Sequence, residues 1–224
     1  MTGHTPLTRK QIAWRAAQDI EDGAYVNLGI GMPTLCSAYV PDGRLATYQS
    51  ENGLLGFGGP PPEGEEDYDL INASKAAVTL EPGASFVQQA DSFAMIRGGH
   101  LDLAILGAFQ IAPNGDLANW STGEGGVPAV GGAMDLSVGA KAVRVVTTHN
   151  ARDGAPKLVA TCDYPLTGVG VVDRIYSDLA VVDVAGGQFI LREILPGLSV
   201  EELQARTGAP LVADDPEPLI APDL

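Results

Sequence analysis

Cationic side chains are scarce in this chain. Lys and Arg number 13 against 28 Asp and Glu, a formal net charge of −15 over 224 residues. So acidic a protein is a poor match for nucleic acid or an anionic membrane surface, and no basic helix offsets the imbalance. An anionic ligand is not excluded, because loop amides can bind one whatever the net charge. Cysteine is nearly absent. Cys36 and Cys162 lie far apart, which excludes a disulfide framework and zinc-ligand spacing. A reduced cytoplasm is the simplest expected setting. No apolar run approaches the ~18 residues of a transmembrane helix. The start, Met1 to Lys10, is polar and runs directly into a helix pattern without a secretory signal. Aromatics make up only 6%, so the core is expected to be aliphatic. No internal repeat is visible.

Hydrophobic residues make up 45% of the chain, ample for one large α/β domain. Residues 1–212 are expected to form it. Ala213 to Leu224, rich in Pro and Asp, reads as a loose tail. Thr8 and Gln11 have capping-box spacing, with Leu7 and Ile12 placed as a hydrophobic staple. Ile12, Ala16 and Ile20 then recur on one helical stripe, and Gly23 suits the helix end. A strand follows over Ala24–Leu28, then the glycine loop Gly29-Ile30-Gly31-Met32-Pro33 and a helix expected to reach Val40 before Pro41. Strand, glycine loop and helix form the general plan of an anion site. Thr34 stands where a dinucleotide fingerprint needs its third glycine, so a tight βα turn is the plainer reading.

Further on, Gly59–Asp69 carries three prolines and five acids and reads as a solvated surface loop, with a lid as the sharper alternative. It lacks the alternating ligands of a calcium loop. Asp91 is placed to cap a short helix ending at Gly98. Leu101–Ala108 has the apolar character of a central strand buried on both faces. His100 reads as a structural hydrogen-bonder. Asn114-Gly115-Asp116 marks a turn, and Gly123, Gly125, Gly126, Gly131 and Gly132 precede a helical pattern over Ala133–Ala140. Val143–Thr147 is β-rich. Leu179–Val184 and Gln188–Leu195 flank Ala185-Gly186-Gly187 as a β-hairpin. Ser199 and Glu202 form a second capping box. Strands alternating with short helices, then a late hairpin, predict an α/β fold: an open, mostly parallel sheet with helices on both faces.

The most suggestive stretch is Ser50-Glu51-Asn52-Gly53-Leu54-Leu55-Gly56. A strand stopping at a Gly-rich turn places Glu51 at the sheet's carboxyl edge, where open α/β sheets bind ligands. Gly53 and Gly56 allow close approach of a substrate or another backbone. On this pattern alone Glu51 can be a base, a metal ligand, a nucleophile or an ordinary loop acid.

Seven motifs resolve those alternatives together. NLGIGMPTL (27–35), SENGLLG (50–56), DLINA (69–73), RGGHLDLAILGAFQ (97–110), GDLANW (115–120), GGAMDL (131–136) and PLTG (165–168) run in order over nearly the whole chain. In this the chain resembles the B (β) subunit of the two-subunit family I 3-oxoacid CoA-transferases. The resemblance implies that Glu51 is the nucleophile and that Gly29, Gly31, Asn52, Gly53, Gly131 and Gly132 contact substrate. It also implies a partner A (α) subunit, in an αβ or α2β2 assembly, and acyl-CoA and 3-oxo acid substrates. No metal, flavin or nicotinamide is implied; the CoA thioester is itself a substrate. The Ser121–Val130 segment and the PPPEGEED stretch look closer to the 3-oxoadipate enzymes of aromatic catabolism than to the acetoacetate enzymes. Other readings are a sugar-phosphate-binding module and an acyl-CoA hydrolase on the same scaffold.

Overall fold

The computed structural model describes residues 4–123 and 129–224; Gly125 and Gly126 of the glycine-rich segment lie outside them. Helix α1 (Arg9–Ala17) has the expected capping box, with Thr8 Oγ1 accepting from Gln11 N and Gln11 Oε1 accepting from Thr8 N. It ends well before Gly23, whose φ of 76° instead starts strand β1 (Ala24–Leu28). After Gly31 (φ 93°) the chain enters a 3-10 helix over Met32–Ala38, shorter and tighter than the helix expected to Val40. The Thr34 and Ser37 hydroxyls donate to the carbonyls three residues back, at 2.7 and 2.9 Å, which favours the tighter winding.

Strand β2 (Ala46–Ser50) lies parallel to β1, then reverses into β3 (Leu54–Phe57), which pairs with β4 (Leu80–Phe86). Neither β3 nor β4 is evident from the sequence. Glu81-Pro82-Gly83 breaks the strand pattern of β4, and Pro is tolerated there because β4 is an exposed sheet edge. Helix α2 (Gln89–Arg97) starts before the expected cap, so Asp91 lies in its first turn, where a carboxylate meets the positive helix end. Strand β5 (Leu103–Leu106) is buried at every residue, as its apolar run predicts. A small hairpin, β6 (Gln110–Ile111) and β7 (Leu117–Ala118), turns at Asn114-Gly115-Asp116. Then come α3 (Ala133–Gly139), β8 (Val143–Val146) and β9 (Arg174–Tyr176). The hairpin of β10 (Ala180–Ala185) and β11 (Gln188–Ile194) turns through Gly186 and Gly187, both at positive φ. Last come α4 (Val200–Gln204), with its Ser199–Glu202 capping box, and β12 (Leu211–Pro218).

The large sheet has the order β12-β11-β10-β9-β8-β5-β1-β2-β3-β4. Its centre, β9 to β2, is parallel; antiparallel hairpins flank it. Helices cover both faces. Ile12, Ala13 and Ala16 of α1 join Cys36 and Val26 in one core, while Ile96 of α2, Leu136 of α3 and Leu203 of α4 join Ala104 and Val182 in the other. Each fully buried Ile or Leu contributes about 1.5–3 kcal/mol.

The loose-tail reading of residues 213–224 is corrected for residues 213–219. Ala213 pairs with Leu191 and Glu217 with Glu193 as β12 extends the sheet. Leu219 is 1% exposed and its N–H donates to Ile194 O at 2.8 Å. Residues 212–215 are exposed in succession where this edge strand bulges at Asp215 (φ 49°), so the strand lacks the alternation that would announce it and its acids disguise it as a tail.

Candidate active site

Strand β1 connects to β2 on one side, whereas β5 lies on its other side and continues to β8. The chain therefore reverses direction across the sheet between β1 and β5. The loops after these strands part there and open a crevice at the carboxyl edge. The crevice is a cleft of about 590 Å³.

Glu51 is the first residue of the β2–β3 turn and its side chain is half-buried in that cleft. The turn closes by Gly53 N–H donating to Ser50 O at 3.0 Å. Gly53 has φ 110°, and a Cβ there would meet Val87 O at 2.1 Å, so only glycine lets the turn sit against the chain entering α2. Beneath it runs a chain of buried amides and hydroxyls. Asn27 Nδ2 donates to Gln49 Oε1 (2.6 Å), Gln49 Nε2 to Ser92 Oγ (2.6 Å) and Ser92 Oγ to Ser50 O (3.1 Å). Asn27, Gln49 and Ser92 are 0, 2 and 1% exposed. Buried polar networks of this kind specify one arrangement of their surroundings, although Asn27 Oδ1 has no partner among the described residues. This one links β1, β2 and α2 to the residue just before Glu51.

The opposite wall is the start of α3. An added Cβ on Gly132 would lie 2.9 Å from Glu51 Oε1 and 3.2 Å from its Cγ. The carboxylate thus rests directly against the bare Cα of Gly132. Among the described residues no hydrogen bond reaches the Glu51 carboxylate.

Of the residues singled out from sequence, Glu51, Gly29, Gly131 and Gly132 line the cleft together. Gly29 ends β1, where a Cβ would press on Ile105 O at 3.2 Å and on Leu106 Cδ2 at 3.1 Å. Gly31, Asn52 and Gly53 stand outside this lining. Gly31 turns the chain into the 3-10 helix, and Gly53 is buried against Val87. Asn52 Nδ2 donates to Ile71 O at 2.7 Å, pinning the segment after the acidic loop. None of residues 59–69 of that loop lines the cleft; Gly59 and Pro60 instead border a separate hollow of about 270 Å³.

Arg9, Phe109, Thr147, Thr148 and Lys157 also line the cleft and were not legible as site residues. They come from four separate stretches of chain with no motif spacing to connect them. Two of the quoted motifs interlock at its edge, where Thr167 Oγ1 donates to Asn119 Oδ1 at 2.6 Å. Asn119 Nδ2 in turn holds Gly107 O at 3.1 Å.

Other candidate groups stand outside the lining of the cleft. His149 is buried between Ser177 Oγ (3.1 Å) and Thr207 Oγ1 (2.8 Å), and burial lowers its pKa to about 4. The hydrogen-bonding role expected of His100 is corrected: its side chain is exposed and, among the described residues, makes no hydrogen bond. Burial raises the thiol of Cys36 to about 12 and that of Cys162 to about 11, far from the thiolate a cysteine nucleophile needs. Asp102, at the start of the β5 region, is a surface acid paired with Lys141 at 2.7 Å. Among the described residues no group of three His, Cys, Asp or Glu side chains is arranged to hold a metal ion, and no helix is long and apolar enough to cross a membrane.

A doubly wound α/β sheet with one unengaged carboxylate at its switch point defines the class of protein. Comparison with known proteins makes it specific. The family model for coenzyme A transferase matches residues 9–206, and the chain belongs to that family. It is 58% identical to the B subunit of the 3-oxoadipate CoA-transferase of Acinetobacter baylyi, over 92% of this chain and 95% of that protein. It is 49% identical to the B subunit of the succinyl-CoA:3-ketoacid coenzyme A transferase of Helicobacter pylori, over 90% of this chain and 97% of that one. Among solved structures, the glutaconate coenzyme A-transferase of Acidaminococcus fermentans has the same fold, with TM-score 0.69 over 99% of this chain and 92% of that one at 19% identity.

Proposed function

We propose that this chain is the B (β) subunit of a heteromeric, cytoplasmic CoA-transferase that moves CoA from succinyl-CoA to a 3-oxo acid, with 3-oxoadipate the preferred acceptor. The observation that carries this reading is the Glu51 carboxylate, free of hydrogen bonds among the described residues, held on a rigid turn against Gly132 in the cleft. The 3-oxoadipate preference rests on the 58% identical relative of that name. The partner is an A (α) subunit, as the names of both relatives suggest.

In this mechanism a Glu51 oxygen attacks the thioester carbonyl of succinyl-CoA. The C–S bond breaks, CoA leaves as the thiolate, and a succinyl-glutamyl anhydride remains. The thiolate then attacks the glutamyl carbonyl and expels succinate, leaving CoA as a thioester on Glu51. The 3-oxo acid carboxylate attacks that thioester, and the same two steps in reverse release the 3-oxoacyl-CoA and free Glu51. The carboxylate charge that the released succinate gains is the one the 3-oxo acid gives up, so no proton or electron enters the balance. The relay divides one hard exchange into easier ones. A carboxylate is a weak nucleophile, and positioning on a rigid turn supplies an effective molarity that reaches roughly 10⁵ M or more in well-oriented systems. Keeping water out protects the anhydride.

The test is intact mass spectrometry of the two-subunit enzyme with succinyl-CoA and no acceptor, followed by peptide mapping. A CoA adduct on the Glu51 peptide is expected, absent in Glu51→Gln, which should also lose transfer while still assembling. Turnover retained in Glu51→Gln would overturn the assignment. Competition between 3-oxoadipate and acetoacetate then ranks the acceptors.

A further inference from the structure

Lys157 is the interior cation of the cleft. Its Nζ donates to Thr147 Oγ1 at 2.8 Å, just beyond the carboxyl end of β8, and the side chain is half-buried. None of the ion pairs among the described residues includes it. Its nearest electrostatic partner, Asp178, already accepts the His149 N–H at 2.6 Å. Burial lowers the Lys157 pKa, with Asp178 acting weakly in the other direction. A desolvated ammonium without a paired carboxylate is costly, and an incoming anion relieves that cost. The charge of the cleft agrees. Arg9, Lys157 and Glu51 are its ionisable lining residues among those described, a net positive lining in a chain of −15.

Position decides which anion. In the sheet β8 lies three strands from β2, about 14 Å at ~4.8 Å per strand. A short dicarboxylic acid whose carboxyl reacts at Glu51 ends within a few bonds of it and falls short of β8. The long pantetheine arm of a CoA thioester spans such a gap and carries phosphates at its far end.

We propose that Lys157 is a receptor for the phosphate groups of CoA, at the end of the cleft opposite Glu51. This rests on the CoA-transferase reading above. In it the arm of CoA lies across the ends of β1 and β5, over Gly29 and Gly107, with the thioester at Glu51. Thr147 orients the ammonium, and its own hydroxyl donates to Ala108 O at 3.3 Å.

The experiment uses the reconstituted two-subunit enzyme and two thioesters, succinyl-CoA and succinyl-pantetheine, which lacks every phosphate. The readout is the ratio of their kcat/KM values in wild type, Lys157→Met and Lys157→Arg. The ratio should fall about tenfold or more in Lys157→Met, the effect of losing one charge-assisted hydrogen bond, and recover substantially in Lys157→Arg. An equal loss on both thioesters would overturn the proposal, since it would place Lys157 at the acyl group or in the scaffold. An unchanged ratio would overturn it too. Calorimetric binding of CoA against pantetheine to the same variants gives the same comparison without turnover. It therefore separates a failure at Lys157 from a failure of the transferase reading, which would appear as wild type active on neither thioester.

Discussion

At position 132 a single methyl group decides whether the Glu51 carboxylate can occupy its place. Gly132 has φ −77° and ψ −6°, a conformation any residue adopts, so an alanine there costs the backbone nothing. Its Cβ, however, would stand 2.9 Å from Glu51 Oε1, and the flexible carboxylate would be the group to move. Gly132→Ala is therefore expected to melt within a few degrees of wild type, since the group it displaces is the end of a flexible side chain that can move aside. Its kcat should fall about a hundredfold, the scale of a 1 Å misplacement at a reacting centre. Thermal denaturation and steady-state kinetics on one preparation check both halves. Gly53 makes the contrast: its φ of 110° and the approach of Val87 O make it a folding requirement. Sequence alone marks both as glycines of a motif and does not tell these reasons apart.

Between elements, the site depends on how α2 and α3 pack, because each supports one side of Glu51. Ser92 of α2 holds the Ser50 carbonyl, and α3 begins at the glycine that faces the carboxylate. The two helices meet where a Cβ on Gly139 would come 2.3 Å from Ile96 O and 3.0 Å from Ile96 Cγ2. Gly139→Ala should thus cost about 1–3 kcal/mol, the usual penalty of overpacking. Because α3 must shift to accommodate it, activity should also drop under conditions where the protein is fully folded. Chemical denaturation followed by assay well below the transition measures the two effects separately. An unaltered midpoint would show that the helices part without strain. Local signals announce most of these elements: the caps at Thr8 and Ser199, the glycine pair at 186–187 and the apolar run of β5. The β3–β4 pair escapes notice because β3 is short, both strands are interrupted by glycine or proline at Gly56 and Pro82, and a long acidic loop joins them.

For the whole molecule, the sheet places the cleft and its final strand closes one side. Removing residues 213–224 would take most of β12 and the buried Leu219, whose burial alone is worth about 1.5–3 kcal/mol. The truncated chain is expected to lose at least that stability and to expose the edge of β11 to association with other copies. A lowered melting temperature with faster amide exchange in β11 would show it; unchanged exchange would mean that β12 adds no protection.

The alternation of strands and helices, the helix caps and the glycine turn that carries Glu51 are all written in the order of residues. They are encoded by neighbours a few positions apart, through periodicity, hydroxyl caps and glycine turns, or by a run of motifs read in order. Folding settled the rest: which of the motif glycines face Glu51, that Asn52 points to Ile71 instead of the cleft, and that the acidic end of the chain is a strand. It also brought Lys157 across the sheet into the same cleft as Glu51. These relations depend on strand order. Pairing joins β8, β5, β1 and β2 side by side although their residues are as much as a hundred positions apart, and no local pattern records which strand ends meet.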